Sequence, residues 1–400
     1  MKILIGCEFP EPALAELRTL SENVVYKPGL APKDLEKEIL DTGILVVGRN
    51  RVTPEAISGA KSLQMIIRAG TNTTNIAIPE ASDAGVFVAN CPHKDAIAIA
   101  EMVFGMLIAL DRRLLEASAA MRGGTLAEAL AEDATGLAGR TLGMLGFGPV
   151  ELALAKRARA FGMKTIAWSP TLTPEAAAEA GMEFGAWPRE VARRSDMVSI
   201  YAPEHDRDEI LVDEVFLRDL RKGAYLVYTG SPVALDQDAL IEVAQERELR
   251  VAYDLFTPQI PTSNAGRFQS RLQALQNAIG TNHLGDRTQQ AVEATAMEVV
   301  RIVRSFLVTG ELVNCINLVE HSPATWQLVL RLEDTVGVLA SILDHIRADG
   351  INIEEMVSRV FTGARAAWCL IALDERPSTD ALDAIRELRG VLHLELRALI

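Results

Sequence analysis

Thr141-Leu-Gly-Met-Leu-Gly-Phe-Gly-Pro-Val-Glu151 is the stretch on which the fold turns. An apolar strand runs into a glycine-rich turn, and a helix-forming segment follows. In such a strand–turn–helix the first glycine makes the tight turn and the second lets the backbone approach a pyrophosphate. The third permits close packing of helix on strand. Gly146 and Gly148 fill the first two places and Glu151 stands at the third. The stretch predicts a dinucleotide-binding unit altered at its phosphate end.

Downstream, the β-branched or apolar runs Lys164–Trp168, Met197–Ala202, Tyr225–Tyr228, Arg250–Asp254 and Ala278–Thr281 alternate with helix-period segments, the rhythm of a doubly wound parallel sheet. Upstream, Lys2–Gly6, Asn23–Tyr26, Ile44–Val47, Gln64–Ile67 and Gly85–Asn90 repeat that rhythm and predict a first α/β unit. Between the two, Met102, Met106, Leu110, Leu114, Ala117 and Met121 recur at steps of three or four, which predicts one long helix over Asp95–Met121. A helix over Thr288–Val308 is expected to return the chain to the first unit. From Trp326 to Ile400 the pattern becomes strand, helix, strand, strand, helix, strand, an α+β arrangement of the split βαβ kind.

Bulk properties agree with a folded protein of two or three domains: 400 residues, 49% of them hydrophobic, with a net charge of −14. That charge argues against nucleic-acid or anionic-membrane partners, because phosphate binding depends on clustered Lys and Arg. Cys7, Cys91, Cys315 and Cys369 are scattered, with no CxxC pair and no His at ligand spacing, so neither a disulfide framework nor a metal site is expected. The apolar run from Ala96 to Leu110 contains Glu101 and is short for a bilayer, and the start of the chain lacks a signal-peptide pattern. A reduced, cytoplasmic protein is the plain reading.

Further segments carry a resemblance: Ile67-Arg-Ala-Gly-Thr-Asn-Thr-Thr-Asn-Ile76, Asn90-Cys-Pro92, Ala100-Glu101, Gly139–Gly148, Phe161–Thr165, Ser195-Asp196, Leu235–Leu240, Asp254-Leu-Phe256 and Asn282-His-Leu-Gly285. In this order they resemble the D-2-hydroxyacid dehydrogenase family, and within it the D-3-phosphoglycerate dehydrogenases that carry a C-terminal ACT regulatory domain. The resemblance implies two doubly wound parallel-sheet domains of Rossmann and flavodoxin-like type plus an α+β ACT domain. Its expected boundaries are residues 1–94 with 286–315 for substrate, 95–285 for nucleotide and 325–400 for ACT. It further implies NAD or NADP as cofactor, a small anionic metabolite as substrate, and a homodimer or homotetramer. In the family a His acts as general base, a Glu supports it, and an Arg clamps the substrate carboxylate.

Measured against those roles, the chain keeps the base position as His283 and departs elsewhere. Gln259 stands where the family has Glu; an amide can hold an imidazole tautomer but supplies no charge to an imidazolium. Ser231 stands at the clamp arginine and cannot make its bidentate pair. Arg287, where the family has a small polar residue, reads either as a relocated anion clamp or as a solvated arginine at a helix start. In the substrate loop Gly70 and Thr71 precede Asn72, which replaces a glycine and is expected to crowd the cleft. Arg49 and Arg51 match the region that grips phosphate in relatives, or are exposed loop arginines.

The cofactor side, to which Gly146, Gly148, Pro149, Val150, Ser169 and Asp254 are assigned by resemblance, changes in parallel. Pro149 removes a backbone N–H from the turn, and Glu151 brings a carboxylate to the positive end of the helix. Ser169 falls where an acidic residue would grip the ribose. In the ACT-like region the serine-binding positions of relatives read Leu332, Asp334 and Asn352, so an amino-acid ligand and a purely dimerising role both stay open. Three readings follow: an active NAD- or NADP-dependent dehydrogenase with a rebuilt site, a silent homologue, and altered chemistry using His283. So many linked changes around an intact core favour loss or alteration of the standard activity.

Overall fold

The computed structural model describes residues 1–125, 134–201, 210–230, 234–254, 271–275, 278–319 and 322–399. The chain divides into two units, Met1–Asn317 and Leu318–Ile400. Within the first, β1 (Ile3–Ile5), β2 (Val24–Tyr26), β3 (Ile44–Val47), β4 (Met65–Arg68) and β5 (Phe87–Asn90) form a parallel sheet in the order β2-β1-β3-β4-β5. Neighbouring residues of a strand face opposite sides. Ile3, Ile5, Ile44 and Val46 therefore pack with Leu14, Leu17 and Val299, Val300 and Val303 on one side, while Leu4, Leu45 and Val47 meet Leu35, Ile39 and Ile57 on the other. Burial on both faces is why these strands read as unbroken apolar runs.

The second sheet has seven parallel strands, β6 (Thr141–Leu145), β7 (Lys164–Trp168), β8 (Glu183–Phe184), β9 (Met197–Ile200), β10 (Tyr225–Tyr228), β11 (Arg250–Asp254) and β12 (Ile279–Thr281). Their order, β12-β11-β10-β9-β6-β7-β8, reverses direction at β6 and β9. Ligands of such sheets bind beyond the carboxyl ends of the strands at that switch, so the Gly146–Glu151 turn lies where the fold expects one. The doubly wound architecture expected from the sequence is present.

One expectation is corrected. Asp95–Met121 is not a single helix: Ala96–Arg112 ends at Arg113, which adopts left-handed backbone (φ 49°, ψ 44°), and Leu114–Arg122 restarts beyond it. Asp111, 1% exposed, fixes the break. It accepts from the Gly136 N–H at 3.0 Å and the Tyr225 hydroxyl at 3.0 Å, while Arg113 pairs with Glu116 at 2.9 Å. The return helix runs Gln289–Thr309, capped by Thr288 accepting from the Ala291 N–H at 3.2 Å and stopped by Gly310 at φ 72°. Glu298 on this helix, 6% exposed, binds Lys94 at 3.0 Å and Asn314 at 2.8 Å, and pairs with Arg301.

In the second unit, β13 (Trp326–Glu333), β14 (Ile353–Val360), β15 (Ala366–Leu373) and β16 (Val391–Ala398) form an antiparallel sheet ordered β14-β15-β13-β16. Helices Val338–Ala348 and Thr379–Glu387 cover one face through Ile342, Ile346 and Ile385 against Leu328, Leu330 and Ile371.

Candidate active site

Asp254 organises the loop that carries the histidine. It sits at the end of β11, 5% exposed, and accepts from Thr281 Oγ1 at 2.7 Å, the Leu284 N–H at 2.8 Å and the Gly285 N–H at 2.7 Å. A side chain at Gly285 would bring its Cβ to 3.0 Å from Asp254 Oδ2, a tight contact that glycine avoids. His283 rides on this loop in left-handed backbone (φ 50°), a strained state that the three bonds to Asp254 hold in place. The sequence assigned Asp254 to the cofactor groove; in the structure its carboxylate holds the His283 loop.

The Nε2 atom of His283 lies 3.4 Å from Asp286 Oδ2, and Arg49 Nη2 lies 3.9 Å from the same oxygen. Burial raises the Asp286 carboxyl, but the hydrogen bond and charge of His283, with the charges of Arg49 and Arg287, outweigh it and hold the group below its ordinary range. Arg49 is lowered, first by burial and then by the nearby Arg287. Arg49 and Arg287 thus share one cleft with His283 and Asp286. Arg51 is exposed, and its charge acts on Glu55 at the start of the Pro54–Gly59 helix.

Two further residues join, Arg68 from the first sheet and Asp95 from the start of the Ala96–Arg112 helix. Arg68, at the carboxyl end of β4, is lowered chiefly by burial; its Nε is buried and makes no hydrogen bond among the described residues. The guanidinium packs beneath Gly70, where an added Cβ would lie 2.5 Å from Nη1, and Gly70 itself has φ 143°. Asp95 is raised by burial and then by the Asp286 charge, and the Oδ1 atoms of both aspartates are buried without hydrogen bonds among the described residues. Thr71 accepts through its carbonyl from Asn90 at 2.8 Å. Asn72 Oδ1 accepts from the Thr74 N–H and hydroxyl, each at 2.8 Å, which turns the amide oxygen back on its own loop.

Arg68, Asp95 and Asp286 were given no role from sequence. The usable signal was position, since Arg68 ends a parallel strand and Asp286 is three residues after His283. Ser231 and Gln259 lie outside the described residues.

At the cofactor end, Gly146 takes φ 130° and Pro149 opens the Pro149–Ala160 helix. Val150 is 1% exposed and belongs to the core with Leu154, because an apolar side chain under the helix start is drawn to the sheet; only its backbone is left to serve the turn. Glu151 is 3% exposed, with its carboxylate against Gly146 and Gly148. Ser169 Oγ is 3.3 Å from Thr171 Oγ1 and accepts from the Thr171 N–H at 3.3 Å. The Glu151 carboxylate thus stands against both glycines of the turn.

In the second unit Asp334 and Asn352 are exposed; the Asp334 N–H donates to the Arg365 carbonyl, and Asn352 Nδ2 donates to Glu354 at 2.7 Å. Asn352 lines a shallow cavity of about 410 Å³ with Leu343, Ile346 and Arg347, and Asp334 is not among its lining residues. No group of described His, Cys, Asp or Glu residues is arranged to hold a metal ion, and no described helix is long and apolar enough to cross a membrane.

Two parallel sheets, a reversed strand order at a glycine turn, and a histidine between arginines and carboxylates define a two-lobed oxidoreductase fold of the dinucleotide-binding class. Residues 104–285 match the NAD binding domain of the D-isomer specific 2-hydroxyacid dehydrogenases. The chain is 30% identical over 315 residues to a glyoxylate reductase of Thermococcus litoralis, covering 76% of this chain and 93% of that protein. It is 29% identical over 351 residues to the D-3-phosphoglycerate dehydrogenase of Methanocaldococcus jannaschii, covering 86% of this chain and 65% of that enzyme. The chain spans 58% of the rat D-3-phosphoglycerate dehydrogenase. The structure of NAD⁺-bound 3-phosphoglycerate dehydrogenase from Entamoeba histolytica superimposes with a TM-score of 0.65 at 22% identity, covering 80% of this chain and 99% of that one. The chain belongs to the D-isomer specific 2-hydroxyacid dehydrogenase family and carries its NAD-binding domain.

Proposed function

We propose that this protein is a D-3-phosphoglycerate dehydrogenase-like family member in which the standard hydride transfer is lost or altered, and whose cleft binds a small anionic metabolite at Arg49 and Arg287. The carrying observation is the meeting of Arg49, Arg287 and Asp286 at His283, in a chain whose clamp and base-partner positions are Ser231 and Gln259. Asp286 balances the cationic cluster. An incoming carboxylate therefore competes with an internal one for the same arginines, and a histidine whose Nε2 faces that aspartate is not poised on a substrate hydroxyl.

A second reading draws on the same geometry. There His283 remains the base, Asp286 replaces the family's Glu, Arg287 and Arg49 form the relocated clamp, and the protein is an active NAD(P)-dependent 2-hydroxyacid oxidoreductase. The second unit fits an ACT-like regulatory domain with an amino-acid ligand or a dimerising role.

Calorimetric titration with a panel of 2-hydroxy and 2-oxo acids, run beside an NAD(P)H turnover assay, separates the readings. A charged hydrogen bond contributes about 1.5–3 kcal/mol, so Arg287→Ala should weaken carboxylate binding roughly 10- to 100-fold. Unchanged binding would remove the clamp. Turnover that vanishes in His283→Ala would establish the second reading.

A further inference from the structure

The phosphate end of the nucleotide lobe holds a feature that neither substrate reading uses. Glu151 is charged at neutral pH in an ordinary environment, yet it is 3% exposed and lies in the first turn of the Pro149–Ala160 helix. A Cβ built on Gly146 would lie 2.5 Å from Glu151 Oε1, and one on Gly148 3.5 Å from Oε2. The two oxygens therefore rest against the two glycines whose bare backbone is the device for approaching a pyrophosphate. The backbone N–H groups of Glu151 and Gly148 act on this carboxylate. These are donors that a helix start offers to an anion, and Pro149 between them offers none.

We infer that Glu151 is a built-in competitor for the turn, so that the pyrophosphate of a nicotinamide dinucleotide binds only when this carboxylate is displaced or protonated. Coulomb repulsion and occupied donors act together: while the glutamate is ionised the turn already holds its anion, and a second one meets both a like charge and engaged N–H groups.

Protonation is within reach. Burial pushes the Glu151 carboxyl up to about 7, against the pull of the two N–H groups. Among the described residues the titratable group facing it is the Tyr201 phenol just beyond β9, which burial raises far above its ordinary range and which stays neutral. Asp95, ahead of the Ala96–Arg112 helix, and Asp286, beyond β12, act on that same phenol. Among the described residues no cation pairs with Glu151. This assignment concerns the cofactor end alone and is independent of whether the cleft binds a carboxylate or turns one over.

The test is a fluorescence titration of the full chain with NADH, which lacks the titrating 2′-phosphate of NADPH, using wild type, Glu151→Gln and Glu151→Gly across neutral pH. Wild-type affinity should fall about tenfold per pH unit once the pH passes about 7, as an ionising competitor requires. The near-isosteric Gln and the Gly that restores the motif should each bind at least about tenfold tighter than wild type near pH 8.5 and respond little to pH. Tight wild-type binding that is flat with pH overturns the inference. So does the absence of any gain in both variants. The readout is NADH binding, so a failed carboxylate titration does not bear on it.

Discussion

Replacing Glu151 with Gln should change how the stability of the Met1–Asn317 unit depends on pH. The carboxyl is raised from 4.5 to about 7 in the folded state, chiefly by burial. Each pKa unit corresponds to about 1.36 kcal/mol, so the displacement amounts to about 3 kcal/mol. No discount for solvent screening applies, because the residue is 3% exposed. The sign follows from proton counting. Between pH 4.5 and about 7 the folded state binds more protons than the unfolded one, so this contribution is complete below 4.5 and is lost as pH rises through about 7. Urea unfolding followed by circular dichroism at a series of pH values, from about 5 to about 8.5, isolates it by difference. Wild type should lose about 2–3 kcal/mol more than Glu151→Gln across that range. Groups titrating identically in both proteins cancel. Parallel profiles, within about 0.5 kcal/mol, would show that the carboxylate is not buried against the turn and would refute the reasoning.

Other sites allow shorter tests. Gly70→Ala places a Cβ 2.5 Å from Arg68 Nη1 at φ 143°, and should cost about 2–4 kcal/mol, read as a drop in thermal midpoint. Asp254→Asn replaces a carboxylate that accepts from Thr281, Leu284 and Gly285. It should cost about 2–3 kcal/mol and speed amide exchange at Leu284 and Gly285; unchanged exchange would mean that another group holds the His283 loop. Glu298→Ala removes a buried carboxylate whose partners Lys94, Arg301 and Asn314 reach solvent, and should destabilise the unit by about 1–2 kcal/mol in chemical denaturation. The Glu298 carboxyl is held down at about 2, first by its hydrogen bond to Arg301, so its contribution persists above 4.5 and disappears as pH falls through about 2. That window does not overlap the one in which Glu151 acts.

The architecture was readable because burial on both faces leaves a strong mark on a strand. Ile44–Val47 and Tyr225–Tyr228 are unbroken apolar runs, and both lie in the structure within the predicted bounds. Arg113 left no such mark. Its left-handed turn depends on Asp111 reaching Gly136 and Tyr225, residues distant in sequence, and neither glycine nor proline signals the break. At the site, residue types announced His283, Arg49 and Arg287, whereas side-chain direction did not follow from type. Whether Asp254 turns toward a groove or into its own loop, and whether Glu151 points out or folds onto Gly146, depends on which N–H groups lie nearby once the backbone is set. Arg68 and Asp286 were hidden for a related reason. Their importance comes from neighbours contributed by other strands, and a linear pattern does not contain those.

The return of Gln289–Thr309 to the first sheet bears on how the molecule is made. Val299, Val300 and Val303 close the side of the sheet on which Ile3, Ile5, Ile44 and Val46 lie. During synthesis these early strands leave the ribosome long before their cover exists, and the whole second sheet is produced in the interval. Contacts so distant in sequence slow folding and prolong the exposure of apolar surface. The first sheet can close that side only once residue 303 has emerged, so its apolar face waits through the synthesis of the whole second sheet.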